Sequence, residues 1–190
     1  SGESSASKGN SLLLQETAGT LLEGVMEIDR SSSRSLLMQH NQILLFGKEL
    51  AQMGIQDRVD LIMRDQDTRL EVLLLIADGR ADQILKVQPE QEMISGVYVA
   101  RIMTDLKKIS PHYTVRMLDF VSRLLEETSA PVILMAKVIQ EEDKQKVEIE
   151  GMAVFKGGQM IGSLDIEQTR GYIWTMGDVQ HGGLVAKTEL

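Results

Sequence analysis

The fold is decided by two apolar runs, Gln42-Ile43-Leu44-Leu45-Phe46 and Leu70-Glu71-Val72-Leu73-Leu74-Leu75-Ile76-Ala77. Both runs are short and almost continuously apolar, which favours strands covered on both faces, as in a parallel sheet. Between them, Lys48 to Met53 predicts a helix that ends at Gly54, and Asp57 to Arg64 predicts a second helix. The sequence therefore predicts a βαβ arrangement at the centre of the chain.

The residues before this centre predict one more strand and one more helix. Leu12-Leu13-Leu14 indicates a first strand, and Thr20 with Glu23 matches a capping box at a helix start. The serines from Ser31 to Ser33 end that helix, and the next strand completes another βαβ unit. Residues 1–10 are small and polar, which is typical of a disordered tail or a cloning remnant.

The residues after the centre divide the chain near Pro89. Asp78-Gly79 turns the chain into a short helix, so residues 11–88 are predicted to form an α/β subdomain. Residues 93–190 are predicted to form a helical and β-meander subdomain, or alternatively to continue the first domain. The predicted fold class is α/β (α+β overall), a small mixed sheet with βαβ units followed by helices and an antiparallel β-hairpin region.

The second segment carries clear helical and strand patterns. One amphipathic helix is predicted from the spacing of Val99, Ile102, Met103 and Leu106, and the next from Val115, Leu118, Val121 and Leu125. Strands are predicted over 132–139, 147–155 and 160–164, the last two joined by a tight turn at Gly157-Gly158. A last helix over 166–176 is capped at Asp165 and is predicted to pack closely at Gly171.

Composition excludes several classes of function. The formal net charge of −8 argues against nucleic acid as a partner, because basic residues are interspersed with acidic ones. Direct binding to an anionic lipid surface is disfavoured for the same reason. The absence of cysteine removes disulfides, thiolate catalysis and cysteine-ligated metals. No run is long enough and apolar enough to cross a membrane.

The sequence contains no recognisable catalytic, metal or cofactor motif. His40, His112 and His181 are too far apart in sequence to form a known ligand pattern, and no Gly-x-Ser-x-Gly elbow is present. Gly47-Lys48 follows a strand and opens a helix, which suits an anion, but it lacks the other glycines of a phosphate loop. The prediction is therefore that the protein is not an enzyme and holds no cofactor or metal.

Two groups of charged residues remain as structural or interface candidates. Arg64, Asp65 and Arg69 predict an ion-paired loop before a strand, with at least one arginine partly buried against a carboxylate or a carbonyl. Glu167 and Arg170 have the spacing of a helix-surface pair, and Arg170 is also a candidate contact to another domain. Trp174 is a candidate for either core packing or partner anchoring.

Five stretches together resemble the C subunit of spore germinant receptors, the Ger(x)C lipoprotein family. They are Gln39-His40-Asn41-Gln42-Ile43-Leu44-Leu45-Phe46-Gly47-Lys48-Glu49-Leu50-Ala51 with Gly54-Ile55, Leu61-Ile62-Met63-Arg64-Asp65-Gln66-Asp67-Thr68-Arg69-Leu70, Ala81-Asp82-Gln83-Ile84-Leu85, Gly151-Met152-Ala153-Val154-Phe155-Lys156 through Gly162, and Glu167-Gln168-Thr169-Arg170-Gly171-Tyr172-Ile173-Trp174. Their order and spacing across most of the chain carry the resemblance.

The resemblance implies a non-enzymatic, lipid-anchored subunit on the extracytoplasmic face of the spore inner membrane. Its implied partners are the polytopic A subunit and the transporter-like B subunit of the receptor. The family's lipobox cysteine is absent from this sequence, and the family's C-terminal domain is expected to begin near Leu190. The chain is thus expected to be an N-terminal fragment of the extracytoplasmic part. The alternative function is direct binding of a small germinant, such as an amino acid, at Gly47-Lys48.

Overall fold

The structure is a computed structural model that describes residues 14–31, 41–64, 71–87, 95–126, 130–142, 144–177 and 179–180. Most of the predicted first strand lies outside the described residues, as do the site candidates Asp65 and Arg69. His40 and His181 also lie outside them.

A five-stranded mixed sheet forms the centre of the molecule, and its strands lie side by side in chain order. The strands are β1 (Ile43–Gly47), β2 (Leu73–Ala77), β3 (Val132–Glu141), β4 (Lys144–Lys156) and β5 (Gln159–Leu164). β1, β2 and β3 pair in parallel, whereas β3–β4 and β4–β5 are antiparallel. The predicted α+β class, with a parallel part and an antiparallel hairpin part, is confirmed.

Seven α-helices and one short 3-10 helix are present in the described part of the chain. The α-helices are α1 (Leu21–Ser31), α2 (Lys48–Met53), α3 (Gln56–Met63), α4 (Ala81–Lys86), α5 (Ser95–Ile109), α6 (Met117–Leu124) and α7 (Ile166–Met176), and the 3-10 helix is Pro111–Tyr113. The predicted capping box of α1 is confirmed: the Thr20 amide donates to Glu23 Oε2 and the Glu23 amide to Thr20 Oγ1, both at 3.2 Å.

The helices cover both faces of the sheet, which explains the nearly continuous apolar runs of β1 and β2. On one face, α2, α3 and α6 bury a core that includes the edge-to-face pair of Phe120 and Phe155, with ring centroids 5.2 Å apart. On the other face, α4, α5 and α7 pack over Leu75, Leu134 and Met152. The result is a helix–sheet–helix arrangement with two apolar cores.

The predicted apolar stripe of α6 is wrong in its phase. Leu118 and Leu125 are 44% and 81% exposed, and the helix instead buries Met117 and Phe120. The cause is that Val115 does not belong to the helix: its carbonyl accepts a hydrogen bond from the Leu74 amide at 2.9 Å. A stripe counted from Val115 therefore starts out of register with the helix.

Both predicted subdomains contribute to the same sheet. β2 belongs to the segment 11–88 and β3 to the segment 93–190, and the two strands pair in parallel through Ile76–Met135 and Ala77–Ala136. The division near Pro89 stays a prediction, and any boundary there separates segments that share backbone hydrogen bonds.

Candidate functional site

Helix α7 is held on the sheet by its inner side and by its N-terminal cap. Thr169 and Ile173 are buried under it. The Gln168 amide donates to Asp165 Oδ1 at 2.8 Å and the Asp165 amide to Gln168 Oε1 at 3.0 Å, which confirms the predicted cap. Arg123 Nη1 lies 3.5 Å from the Tyr172 hydroxyl oxygen, which links the helix to α6. These contacts fix which side of α7 faces away from the protein.

The opposite side of α7 presents the sequence-predicted candidates together. Glu167, Arg170, Gly171 and Trp174 have the spacing i, i+3, i+4, i+7, so they share one side of the helix. All four are exposed, and Trp174 leaves 41% of its surface accessible. We call these four residues the outer face of α7. The structure thus brings Glu167, Arg170 and Trp174 onto one surface and leaves them out of the core.

The prediction that Gly171 packs closely against the protein is wrong. A Cβ added at Gly171 meets no atom within 4 Å among the described residues. Glycine inside a helix costs about 1 kcal/mol relative to alanine. No packing requirement on the described residues explains that cost. A glycine at the middle of the outer face instead leaves the helix backbone accessible to a molecule that approaches from outside.

Arg64 occupies an exposed position at the end of α3. Its side chain is 75% exposed, and Nε donates to Asp60 Oδ2 at 2.8 Å, one helical turn earlier. This carboxylate partner raises the Arg64 pKa. An exposed pair of this kind contributes little stability. Arg64 therefore has a carboxylate partner but is not the partly buried arginine. Asp65 and Arg69 lie outside the described residues, so the partial burial of one of the two arginines stays a prediction.

A second group of charged residues meets beyond the carboxyl ends of β1 and β2, and sequence reasoning did not assemble it. We call Lys48, Asp78, Lys137 and Glu150 the edge cluster. Lys48 Nζ donates to Asp78 Oδ1 at 2.7 Å, and Lys137 Nζ lies 3.8 Å from Glu150 Oε1. The four residues come from four elements or their ends. In sheets with parallel strands, this edge is the usual location of ligand sites.

A β-bulge places Glu150 in this cluster. Met135 pairs with Gly151 and Ala136 with Ile149, so Glu150 is the extra residue of β4 and has no partner on β3. A bulge of this kind redirects a side chain. Glycine is required at the next position, because Gly151 has φ 151° and a Cβ there would overlap the Leu164 carbonyl oxygen. One feature of the sequence indicates this bulge: a glycine follows Glu150 directly, inside a strand pattern.

The two carboxyl groups of the edge cluster have opposite pKa shifts. The hydrogen bond from Lys48 lowers the Asp78 pKa below its usual value. Burial raises the Glu150 pKa, and the neighbouring Asp78 carboxylate raises it further. The hydrogen bond to Asp78 raises the Lys48 pKa. Compared with free carboxyl groups, the cluster therefore favours the ionised form of Asp78 and the protonated form of Glu150.

Other kinds of site receive no support from the described part of the chain. No group of three or more His, Asp or Glu residues within the ranges given above is arranged to hold a metal ion. None of the helices described has the length and apolar character needed to cross a membrane. The two candidate functional surfaces are therefore the outer face of α7 and the edge cluster.

Comparison with known proteins identifies the family. Residues 1–138 match the family model described as "Spore germination protein N-terminal domain". The chain belongs to the Ger(x)C family of spore germination proteins. Residues 150–189 match a second model, "Spore germination B3/GerAC like, C-terminal". This second match begins earlier than the expected boundary near Leu190, so the second half of β4 and all of β5 and α7 lie within it.

Two Ger(x)C relatives illustrate the similarity. The chain is 27% identical over 146 residues to the "Putative spore germination protein YfkR" of Bacillus subtilis (strain 168), covering 75% of this chain and 37% of the relative. The crystal structure of the GerBC protein superposes with a TM-score of 0.54 at 21% identity, over 79% of this chain and 41% of that one. The GerBC likeness shows a shared fold. The matched region thus spans about two fifths of each relative's length.

Proposed function

We propose that the chain acts as a non-enzymatic subunit of a spore germinant receptor, in receptor assembly and nutrient-triggered germination. Its location would be the extracytoplasmic side of the spore inner membrane, reached through a lipid anchor. Membership of the Ger(x)C family supports the general role. The observation that carries the assembly role is the outer face of α7, on which Glu167, Arg170 and Trp174 lie exposed side by side.

The chemistry of the outer face suits protein–protein contact. Tryptophan and arginine are the residue types that most often dominate binding energy at interfaces. Trp174 and Arg170 stand on either side of the unshielded backbone at Gly171, and Glu167 adds a charge at the edge. The proposed partners are the A and B membrane subunits of the receptor. Their contact would bury Trp174 and bring a partner segment against Gly171.

The alternative function, direct binding of a small germinant at Gly47-Lys48, is less well supported. The Lys48 amide donates to the Gly79 carbonyl oxygen at 3.2 Å, and the Lys48 ammonium donates to Asp78. Two of the donors that would hold an anionic ligand group, the Lys48 amide and the Lys48 ammonium, already have protein partners. An amino acid would have to displace the ion pair with Asp78 before it could bind. The assembly role requires no such displacement.

The test is recovery of the receptor from spore membranes. The protein is tagged, expressed with the A and B subunits during sporulation, solubilised in mild detergent and captured. Wild type is compared with Arg170→Ala and Trp174→Ala, after thermal denaturation has shown that both variants stay folded. Leu125→Ala is the matched control, because Leu125 is also an exposed large side chain but lies at the end of α6.

The proposal expects both α7 variants to recover less of the A and B subunits, and Leu125→Ala to recover as much as wild type. A loss of at least tenfold corresponds to about 1.4 kcal/mol of binding energy, which is within reach of one interface tryptophan. Full recovery with both α7 variants would remove the outer face from the assembly role. Calorimetry with candidate amino acids tests the alternative, and heat of binding that Lys48→Met abolishes would favour it.

A further inference from the structure

The edge cluster contains two carboxyl groups that the assembly role does not use. Glu150 Oε2 is buried, and no hydrogen-bond donor reaches it among the residues that the structure describes. The Asp78 amide donates to the Ala136 carbonyl oxygen, and Ala136 pairs with Ile149 beside the bulged Glu150, so both acidic residues lie at the same edge of the sheet. Each carboxyl group also shifts the pKa of the other. Two ionised carboxylates have no proton to share, so a hydrogen bond between the two groups requires a proton, which the raised pKa places on Glu150.

The position of the pair connects the two parts of the sheet. Asp78 follows β2 directly, and its amide donates to the Ala136 carbonyl oxygen at 2.8 Å, beside the bulge. Glu150 is the bulged residue of β4, on the far side of β3. A proton between the two carboxyl groups therefore bridges from the end of β2 across β3 to β4. The same contact repels when both groups are ionised.

Other charged groups lie around Asp78 and Glu150 on the neighbouring elements. Lys48 approaches from the start of α2 and pairs with Asp78, while Lys137 on β3 lies beside Glu150. On the β5 side, the backbone of Leu164 and Asp165 lies next to Gly151. The Asp165 carboxylate accepts the Gln168 amide in the cap of α7. The two lysines moderate the repulsion but supply no proton to the buried Glu150 oxygen.

We propose that Asp78 and Glu150 form a proton-sharing pair that acts as a pH-sensitive clasp between β2 and β4. In the closed form, the Glu150 carboxyl proton is donated to the Asp78 carboxylate. In the open form, Glu150 is ionised, the hydrogen bond is absent and the bulge is held only by its backbone contacts. The clasp controls the rigidity of the sheet edge and is separate from the docking surface on α7.

The sign of the pH dependence follows from the two pKa directions. The Glu150 pKa is raised above 4.5, so its contribution to folding stability is complete below the unfolded pKa and is lost as pH rises through the folded pKa. The Asp78 pKa is lowered below 3.8, so its contribution is present above the unfolded pKa and is lost as pH falls through the folded pKa. The clasp is therefore closed between the two folded pKa values and opens above the higher one.

The test is a carboxyl-carbon NMR titration of the whole chain. The proposal expects Glu150 to titrate above its ordinary value and the Asp78 signal to show two steps, because coupled groups report each other's protonation. Hydrogen exchange of the Asp78 backbone amide, corrected for its intrinsic exchange rate, also reports how often this edge of the sheet opens. Its protection should fall several-fold as pH rises through the Glu150 step.

Glu150→Gln supplies the decisive variant, because its amide group donates to Asp78 at every pH. This variant should abolish the upper Asp78 step and make the protection of the Asp78 amide independent of pH. Glu148→Gln, on the same strand and exposed, is the matched control and should leave both steps in place. A single Asp78 step in wild type, with Glu150 titrating at its ordinary value, would overturn the clasp without reliance on any variant.

Discussion

Replacement of Gly171 by alanine separates the stability of α7 from its use as a docking surface. The backbone at Gly171 is helical without a positive φ, and an added Cβ meets nothing within 4 Å. Neither strain nor steric overlap then opposes the helix-propensity gain, which is about 1 kcal/mol for glycine to alanine. For a chain of this size, that gain raises the melting temperature by about 2–4 °C. We therefore expect Gly171→Ala to be more stable than wild type.

The assay is thermal and urea denaturation monitored by circular dichroism, together with the capture of A and B subunits described above. Gly96→Ala on α5 is the matched control, because a Cβ there also meets nothing within 4 Å. Its gain should be smaller, since Gly96 lies in the first turn of its helix. If a partner packs on the Gly171 backbone, Gly171→Ala alone should lose partner capture while it gains stability. A destabilised Gly171→Ala would refute the assignment of open space around that glycine.

Two further substitutions test the packing that supports the candidate surfaces. Thr169→Val should raise the free energy of unfolding by about 1 kcal/mol in urea denaturation, because the buried Thr169 hydroxyl has no hydrogen-bond partner among the described residues; a loss of stability would mean that the hydroxyl is bonded. Gly151→Ala should cost more than about 3 kcal/mol, because its Cβ would overlap the Leu164 carbonyl oxygen at a positive φ. Gly162→Ala on β5, where a Cβ meets nothing within 4 Å, is the control, and equal effects at the two glycines would argue against the bulge.

Features that depend on residues close together in the sequence are predicted correctly. The caps at Thr20 and Asp165 depend on side chains three residues apart, and both are present in the structure. The parallel pairing of β1 with β2 was implied by two apolar runs joined by helices. In these cases the physical cause is local, so the pattern carries enough information.

Features that depend on distant backbone partners were missed. The spacing of Val115 with Leu118 predicts a helix that includes Val115, but a hydrogen bond from the Leu74 amide in β2 holds Val115 outside α6. The environment of Gly171 depends on which side of α7 faces the sheet, and helical spacing alone does not determine that side. Asp78 and Glu150 are far apart in the chain, and the pairing of β2 with β3 and the register of β3 against β4 place them at the same edge of the sheet.

The order of the strands limits where the protein can be cut into separate pieces. The N-terminal family match ends at residue 138, within β3, and the C-terminal match begins at residue 150, within β4. A cut between the two matches would leave β3 as an edge strand with unpaired backbone groups. The residues of β3 from Val132 to Ala136 are buried, so that edge would also be strongly apolar. Exposed apolar edge strands promote aggregation, and because β4 in turn pairs with β5, a soluble N-terminal piece should keep both β4 and β5.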